Sequence, residues 1–250
     1  MKYMLDKKNK IVFGCSPKVG SSHIKIIYAY LCMRLSEDKI LKLKSGEIHG
    51  LVRDQILGYL PKEIIQGVQN YNFIFITRNP YERLISGIFD KYTGTNKGDG
   101  EFRSMWPENI SLTFRRFISA LIVEDWDIVE KDHFSPQSES FNQKYLNSNL
   151  NVFDLIKSRS KLKIFDIKKI DYNFIENLYN KKLPISILKK KQGHESSLHE
   201  HNSFFKTNVD TEIQNFAGKN INKHDLLIDE LKQKIYNFYL NDFINFGYVK

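Results

Sequence analysis

The sequence predicts an α/β fold, a single P-loop-like domain over residues 1–250 in which a parallel β-sheet is flanked by helices. Two stretches carry that prediction. In the first, Ile11-Val-Phe13 is a continuous apolar triplet suited to a strand buried on both faces; a loop of small residues follows, and then Ile24, Ile27, Tyr28 and Leu31 recur at helical spacing. In the second, Tyr71-Asn-Phe-Ile-Phe-Ile-Thr77 is aromatic and β-branched without a breaker, and a helix starts directly after it. The two strands are expected side by side and parallel. A chain of 250 residues is long enough for one large core, and a second full domain would be cramped.

The remaining elements follow in order. Residues 36–60 are mixed, broken by Gly46, Gly50 and Gly58, and support only short helices; residues 61–68 read as a brief helix. Asn79 as N-cap, Pro80 at the first helical position and Glu82 reaching back to the cap begin a helix that runs through Leu84, Ile85, Ile88 and Phe89 to about Tyr92. Residues 93–109 are Gly-rich and polar, a lid or an irregular segment, and residues 111–125 resume as an amphipathic helix. A strand is expected near residues 152–155 and a clearer one at 163–166, then a short helix over 171–179. Residues 184–222 read as a polar extended loop, and residues 225–243 as a strong terminal helix ending at Gly247. There is no internal repeat.

The formal charge is +9, but the Lys excess comes with abundant Asn, Ile, Tyr and Phe, as AT-rich coding alone produces. It therefore supports an acidic substrate or a phosphate-bearing cofactor only weakly, and nucleic acid is not an expected partner. No run reaches the roughly 20 apolar residues of a membrane span, and residues 1–10 are charged with no signal-peptide core after them. The expectation is a soluble, cytoplasmic chain, with Cys15 and Cys32 as buried reduced thiols.

Two stretches carry chemistry. Gly14, Ser16, Pro17, Gly20, Ser21 and Ser22 form a loop small enough for backbone N–H groups to approach an anion, and the next helix points its positive end at the same place. Lys18 precedes Gly20, whereas the Walker A lysine follows the second glycine, so the ligand is not held as in an ordinary P-loop NTPase. The second stretch is Arg78-Asn-Pro-Tyr-Glu-Arg-Leu-Ile-Ser86. Helix-start grammar accounts for its Asn-Pro-x-Glu. It does not account for a permanently charged Arg78 where a buried strand leaves the sheet, or for the hydroxyl of Ser86 on the helix beyond; a bound phosphate uses both.

These two stretches, with His133-Phe-Ser-Pro-Gln137 and the tail Ile235-Tyr-x-x-Tyr-x-x-Asp-Phe-x-x-Phe-Gly-Tyr248, resemble the carbohydrate sulfotransferases of the chondroitin 4-O-sulfotransferase and HNK-1 sulfotransferase group. The four motifs fall in the family's order across nearly the whole chain. The resemblance implies that Ser16, Pro17, Lys18, Val19, Gly20, Ser21 and Ser22 bind the 5′-phosphosulfate of 3′-phosphoadenosine 5′-phosphosulfate (PAPS), and that Arg78 and Ser86 bind its 3′-phosphate. Two phosphate-reading elements at the ends of adjacent parallel strands can clasp one nucleotide.

Sulfuryl transfer to a hydroxyl, on a carbohydrate by the resemblance, needs positioning and cationic cover for the leaving oxygen, a role that fits Lys18. Ser21 and Ser22 can donate to the same oxygens, one of them alternatively serving as the helix N-cap. The acceptor needs a base, and His133 is the candidate because an imidazole takes protons near neutral pH; Asp132 or Glu139 could substitute. No metal is expected: His194, His199, His201 and Glu200 lie in a polar loop without a ligating pattern. Asn202-Ser203 matches a nucleotide-facing motif of the family too loosely to be assigned, and Tyr92, Trp106 and Trp126 read as core or loop anchors before sugar platforms. Many animal relatives are Golgi enzymes with an anchor and stem, whereas here the first motif begins almost at once, so Golgi residence is not expected. The competing readings are a nucleotide-dependent kinase, which would need Mg²⁺ and a Walker-like lysine, and a basic nucleic-acid-binding protein. The sequence does not fix the oligomeric state.

Overall fold

The computed structural model describes residues 2–44, 46–93, 102–139, 151–190, 208–216 and 222–249. Its strands are β1 (Lys2–Asp6), β2 (Ile11–Cys15), β3 (Ile56–Leu57), β4 (Asn72–Thr77) and β5 (Lys161–Asp166). The helices up to the second motif are α1 (Ser21–Leu31), α2 (Glu37–Lys42), α3 (Glu47–Leu51), α4 (Lys62–Gln66) and α5 (Pro80–Tyr92). Beyond it lie α6 (Phe114–Ile122), α7 (Lys131–Phe134), α8 (Val152–Arg159), α9 (Tyr172–Tyr179), α10 (Ile185–Lys189), α11 (Asp229–Phe238) and α12 (Leu240–Phe246). The chain forms two compact units, one of Met1–Arg78 with Gln137–Ser196 and one of Asn79–Pro136 with Ser197–Lys250.

The first unit holds the whole sheet, in the order β3-β1-β2-β4-β5. β2 and β4 are parallel, Ile11 opposite Asn72 through Cys15 opposite Ile76, and β5 is parallel to β4. These are the strands the apolar runs announced, and both central ones are buried because helices and loops cover each face. One face packs Phe13, Ile74 and Ile76 on Ile24, Ile27 and Ile175; on the other, Phe75 stacks on Phe153 of α8. Gly14 is required on β2, since a Cβ there would lie 2.5 Å from the Phe75 ring.

The sheet is mixed, which corrects the expectation of a parallel one. β1 runs antiparallel to both β2 and β3. Charged residues at the N-terminus concealed the Tyr-Met-Leu core of β1, and Asp6 closes the hairpin by accepting from Asn9 N (3.0 Å) and Asn9 Nδ2 (2.8 Å). Residues 152–155 are helix, not strand: Asn151 caps α8 by accepting from Phe153 N and Asp154 N, and Val152, Phe153 and Ile156 form its buried stripe. The expected loop over 184–222 begins with α10, after which the Lys190 ammonium donates to the carbonyls of Ile40, Leu41 and Leu43 around the end of α2.

The second unit is helical. Leu84, Ile88 and Tyr92 of α5, Phe117 and Leu121 of α6, Phe134, and Ile235 and Tyr239 share one core. Asn79 caps α5 by accepting from Tyr81 N (3.0 Å), with Pro80 in its first turn, as the sequence indicated. The terminal helix divides at Tyr239, whose buried hydroxyl donates to the Phe134 carbonyl (2.6 Å). Gly247, at φ 70°, closes α12 and lets Tyr248 N reach the Phe243 carbonyl.

Candidate functional site

In the first unit the chain leaves β2 through Ser16, which is buried, and Pro17 and Lys18, which are half-buried. Lys18 adopts φ 66° and Gly20 φ 74°, two left-handed residues that fold the loop tightly onto the start of α1. Such a conformation on a side-chain-bearing residue costs roughly 1–3 kcal/mol and is concentrated at ligand sites. Gly20 is the N-cap, with no side-chain cap, so Ser21 and Ser22 both lie in the first turn and neither is the cap. A Cβ on Gly20 would meet Ile167 at 2.5 Å. No acidic residue stands in that first turn to oppose an anion at the positive end of α1. Val19 is fully buried and anchors the loop to the core.

Arg78 follows β4 directly, and its Nη1 donates to the Lys18 carbonyl (3.2 Å). Arg78 and the loop therefore touch within the first unit. A residue that sequence reasoning did not assign to the site locks them: the Gln137 side chain is 0% exposed. Its Oε1 accepts from Arg78 N (3.2 Å) and from Ser16 Oγ (3.4 Å), and its Nε2 donates to the Arg78 carbonyl (2.9 Å). The amide thus replaces a strand partner just beyond the ends of β2 and β4. The signal available was its place at the end of the third motif, after Pro136.

Further along α1, Lys25 Nζ lies 2.6 Å from Nδ1 of His49 on α3, and His49 Nε2 lies 2.8 Å from Ser22 Oγ. Burial lowers the Lys25 pKa, Cys15 opposes that shift and Lys2 adds to it. His23 Nε2 meets the Tyr172 hydroxyl at 2.9 Å. Cys15 is buried and Cys32 half-buried, and both are free; the Cys32 thiol lies 3.0 Å from the Tyr179 hydroxyl.

In the second unit Ser86 is half-buried on α5. Three residues earlier, Arg83 is fully buried, donating from Nη1 to the Ser135 carbonyl (2.9 Å) and from Nη2 to the His133 carbonyl (2.8 Å). With Tyr239 on the Phe134 carbonyl, three consecutive carbonyls around α7 are fixed. Burial works against the charge on Arg83, and Tyr239, Asp242 and Glu130 oppose that loss. His133 Nδ1 lies 2.7 Å from Glu130 Oε2, and the same carboxylate caps α7 by accepting from Asp132 N (3.1 Å) and His133 N (2.7 Å). Desolvation raises the Glu130 pKa, but the hydrogen bonds from His133 and Asp132 outweigh it and hold the carboxyl below its ordinary value. The ring therefore donates from Nδ1, and Nε2 is its basic atom. Of the other base candidates, Asp132 and Glu139 are exposed. Glu130 was missed, although its i, i+3 spacing from His133 was readable.

Tyr92 and Trp106 are core residues, and Trp126 packs partly buried beside Lys131. Among the described residues no group of His, Cys, Asp or Glu could hold a metal. His194, His199, His201, Glu200 and Asn202-Ser203 lie outside the described residues, as does part of the expected lid, residues 94–101.

A mixed sheet with helices on both faces, carrying a tight loop and an arginine at the C-terminal ends of adjacent parallel strands, is an architecture that holds anionic ligands at the strand ends. The chain belongs to the sulfotransferase family, whose model matches residues 1–249. It is similar to carbohydrate sulfotransferase 10 of Danio rerio, 33% identical over 99 residues, covering 36% of this chain and 27% of that protein. The Homo sapiens protein of the same name is 30% identical over 125 residues and that of Gallus gallus 31% over 123, each covering 46% of this chain and 34% of the relative. The chain thus matches about a third of the length of these curated relatives. No solved structure matches it significantly.

Family membership implies a sulfuryl donor, and neither the kinase nor the nucleic-acid reading finds support among the relatives. The expectation of a cytoplasmic location is overturned, because the relatives are carbohydrate sulfotransferases, which are Golgi enzymes. Among the described residues no helix is long and apolar enough to cross a membrane.

Proposed function

We propose that this chain transfers a sulfuryl group from PAPS to a hydroxyl of a carbohydrate, with residues 1–250 acting as one domain and the loop after β2 as a P-loop-like donor site. The observation that supports the reading is the hydrogen bond from Arg78 to the Lys18 carbonyl, which joins the first residue of the second motif to the loop. The residues fit an anionic nucleotide: the loop offers helix-terminal amides, two serine hydroxyls, a lysine and an arginine, with no acid in the first turn of α1. When bound, PAPS supplies the activated sulfuryl group.

The chain's own residues then have separate tasks. Ser16, Gly20, Ser21 and Ser22 hold the anionic 5′ end, with Pro17 and Val19 shaping and anchoring the loop. The Lys18 ammonium covers the oxygen on which charge develops as the group leaves. Arg78 and Ser86 take the 3′-phosphate. His133, pinned by Glu130 with Nδ1 as donor, accepts the acceptor's hydroxyl proton at Nε2. The names of the relatives support the carbohydrate acceptor.

Thermal denaturation with adenosine 3′,5′-bisphosphate tests the donor site. At about 100 times its Kd the nucleotide should add roughly 2.7 kcal/mol of stability. No shift, or an equal one with AMP, overturns the assignment of Arg78 and Ser86. Transfer of label from ³⁵S-PAPS to a panel of glycans tests the acceptor; label appearing only on non-carbohydrate alcohols removes the carbohydrate.

A further inference from the structure

Lys25 is a cation only 4% exposed, in the first turns of the helix that begins at the donor loop. Buried ammonium groups ordinarily face a carboxylate. This one instead faces an imidazole, 2.6 Å away, and the far nitrogen of that ring reaches the hydroxyl of Ser22 at 2.8 Å. We propose that Lys25 and His49 are positioning residues that fix the direction of the Ser22 hydroxyl, aiming its proton at the anionic 5′ end of the donor nucleotide. The proposal deepens the donor-site reading above and rests on it.

Proton order sets the direction of each bond. A lysine ammonium has only protons to give, so His49 Nδ1 must accept. The ring proton then sits on Nε2 and is donated to Ser22 Oγ. A hydroxyl oxygen that already accepts one hydrogen bond turns its own proton toward another acceptor, and the partner the loop is built for is an anion. Without the relay, the Ser22 hydroxyl could donate to the bare ring nitrogen and present a lone pair to the ligand. Burial of Lys25 keeps solvent from competing for the first bond, whereas His49 itself is exposed. Replacing His49 therefore removes no apolar packing, and the Lys25→Met variant controls for the ammonium that His49→Ala deprives of this bond.

Calorimetric titration of the full chain tests this with two ligands, adenosine 3′,5′-bisphosphate and adenosine 3′-monophosphate. His49→Ala and Ser22→Ala should each weaken the bisphosphate by roughly tenfold, the scale of one hydrogen bond to a charged group, while leaving the 3′-monophosphate unchanged. The double variant should bind no worse than Ser22→Ala, because His49 acts through that hydroxyl. His49→Gln, which keeps an N–H near the position of Nε2, should recover most of the loss, and Lys25→Met should reproduce the selective defect. Equal losses for both ligands, additive losses in the double variant, or wild-type binding by His49→Ala overturn the relay. A wild-type protein with no preference for the bisphosphate overturns the donor-site reading and the relay with it.

Discussion

Gln137→Met should destabilise the first unit out of proportion to the change in shape. Methionine nearly matches glutamine in length and volume, so the substitution keeps the packing and removes the amide alone. Two backbone groups of half-buried Arg78 lose the partner they have in that amide, the N–H at 3.2 Å and the carbonyl at 2.9 Å, and the amide they bond belongs to a residue that is 0% exposed. A buried polar group stripped of its partner costs about 1–3 kcal/mol. The bond from Ser16 is long at 3.4 Å and adds little. The expected loss is therefore about 2–4 kcal/mol, read as a shift of the urea midpoint at unchanged m. The same variant should weaken adenosine 3′,5′-bisphosphate, since Arg78 and Ser16 are then no longer held to one another. A loss below about 0.5 kcal/mol, the level of a neutral surface change, refutes the view that Gln137 stands in for a strand partner.

Other perturbations separate stability from chemistry. Lys18→Gly removes both the side chain and the left-handed strain at φ 66°; stability should hold or rise by about 1 kcal/mol while label transfer from PAPS falls by about 100-fold or more. Glu130→Gln should cost about tenfold or more in kcat by unpinning the His133 tautomer. It should also change the acid limb of stability. The Glu130 carboxyl is held below its ordinary value, so its contribution is complete above the unfolded pKa of about 4.3 and lost as pH falls through the lower folded value. The wild-type advantage over Glu130→Gln should therefore shrink below about pH 4.3 in pH-dependent denaturation. Arg83→Met leaves the carbonyls of His133 and Ser135 without their donor and uncovers a buried charge interaction with Asp242; it should cost about 3–5 kcal/mol. Arg83→Lys should not restore that loss, because one ammonium cannot span two carbonyls as the guanidinium fork does.

What the sequence revealed and what it hid divide along one physical line. β2 and β4 were legible because a strand covered on both faces must be apolar at every position, and Val12-Phe13 and Phe73-Ile-Phe-Ile76 are buried throughout. β1 was not, because its apolar run is only Tyr3-Met-Leu5 and its flanking lysines resemble a solvated tail. Lys18 and Arg78 stood out as charges that the strand and helix patterns around them did not account for. Gln137 and Arg83 did not, because their partners are backbone atoms far away in sequence, the carbonyl and amide of Arg78 for one and the carbonyls of His133 and Ser135 for the other. No residue type marks such an acceptor, since every position has a carbonyl.

Helical phase nevertheless distinguishes the two arginines of the second motif. Arg83 lies beside Leu84 and four residues before Gly87, on the face where a Cβ at Gly87 would come within 2.8 Å of Phe134. It is therefore committed to the core stripe of α5, and its charge is used inside the protein. Arg78 precedes the helix, where no periodic pattern claims it, and its guanidinium donates to the Lys18 carbonyl of the loop. If that distinction is right, Arg78→Met should weaken adenosine 3′,5′-bisphosphate by tenfold or more, as loss of a charge-assisted contact does, at a stability cost well below that of Arg83→Met. The reverse ranking in paired titration and denaturation experiments would mean that both arginines are structural.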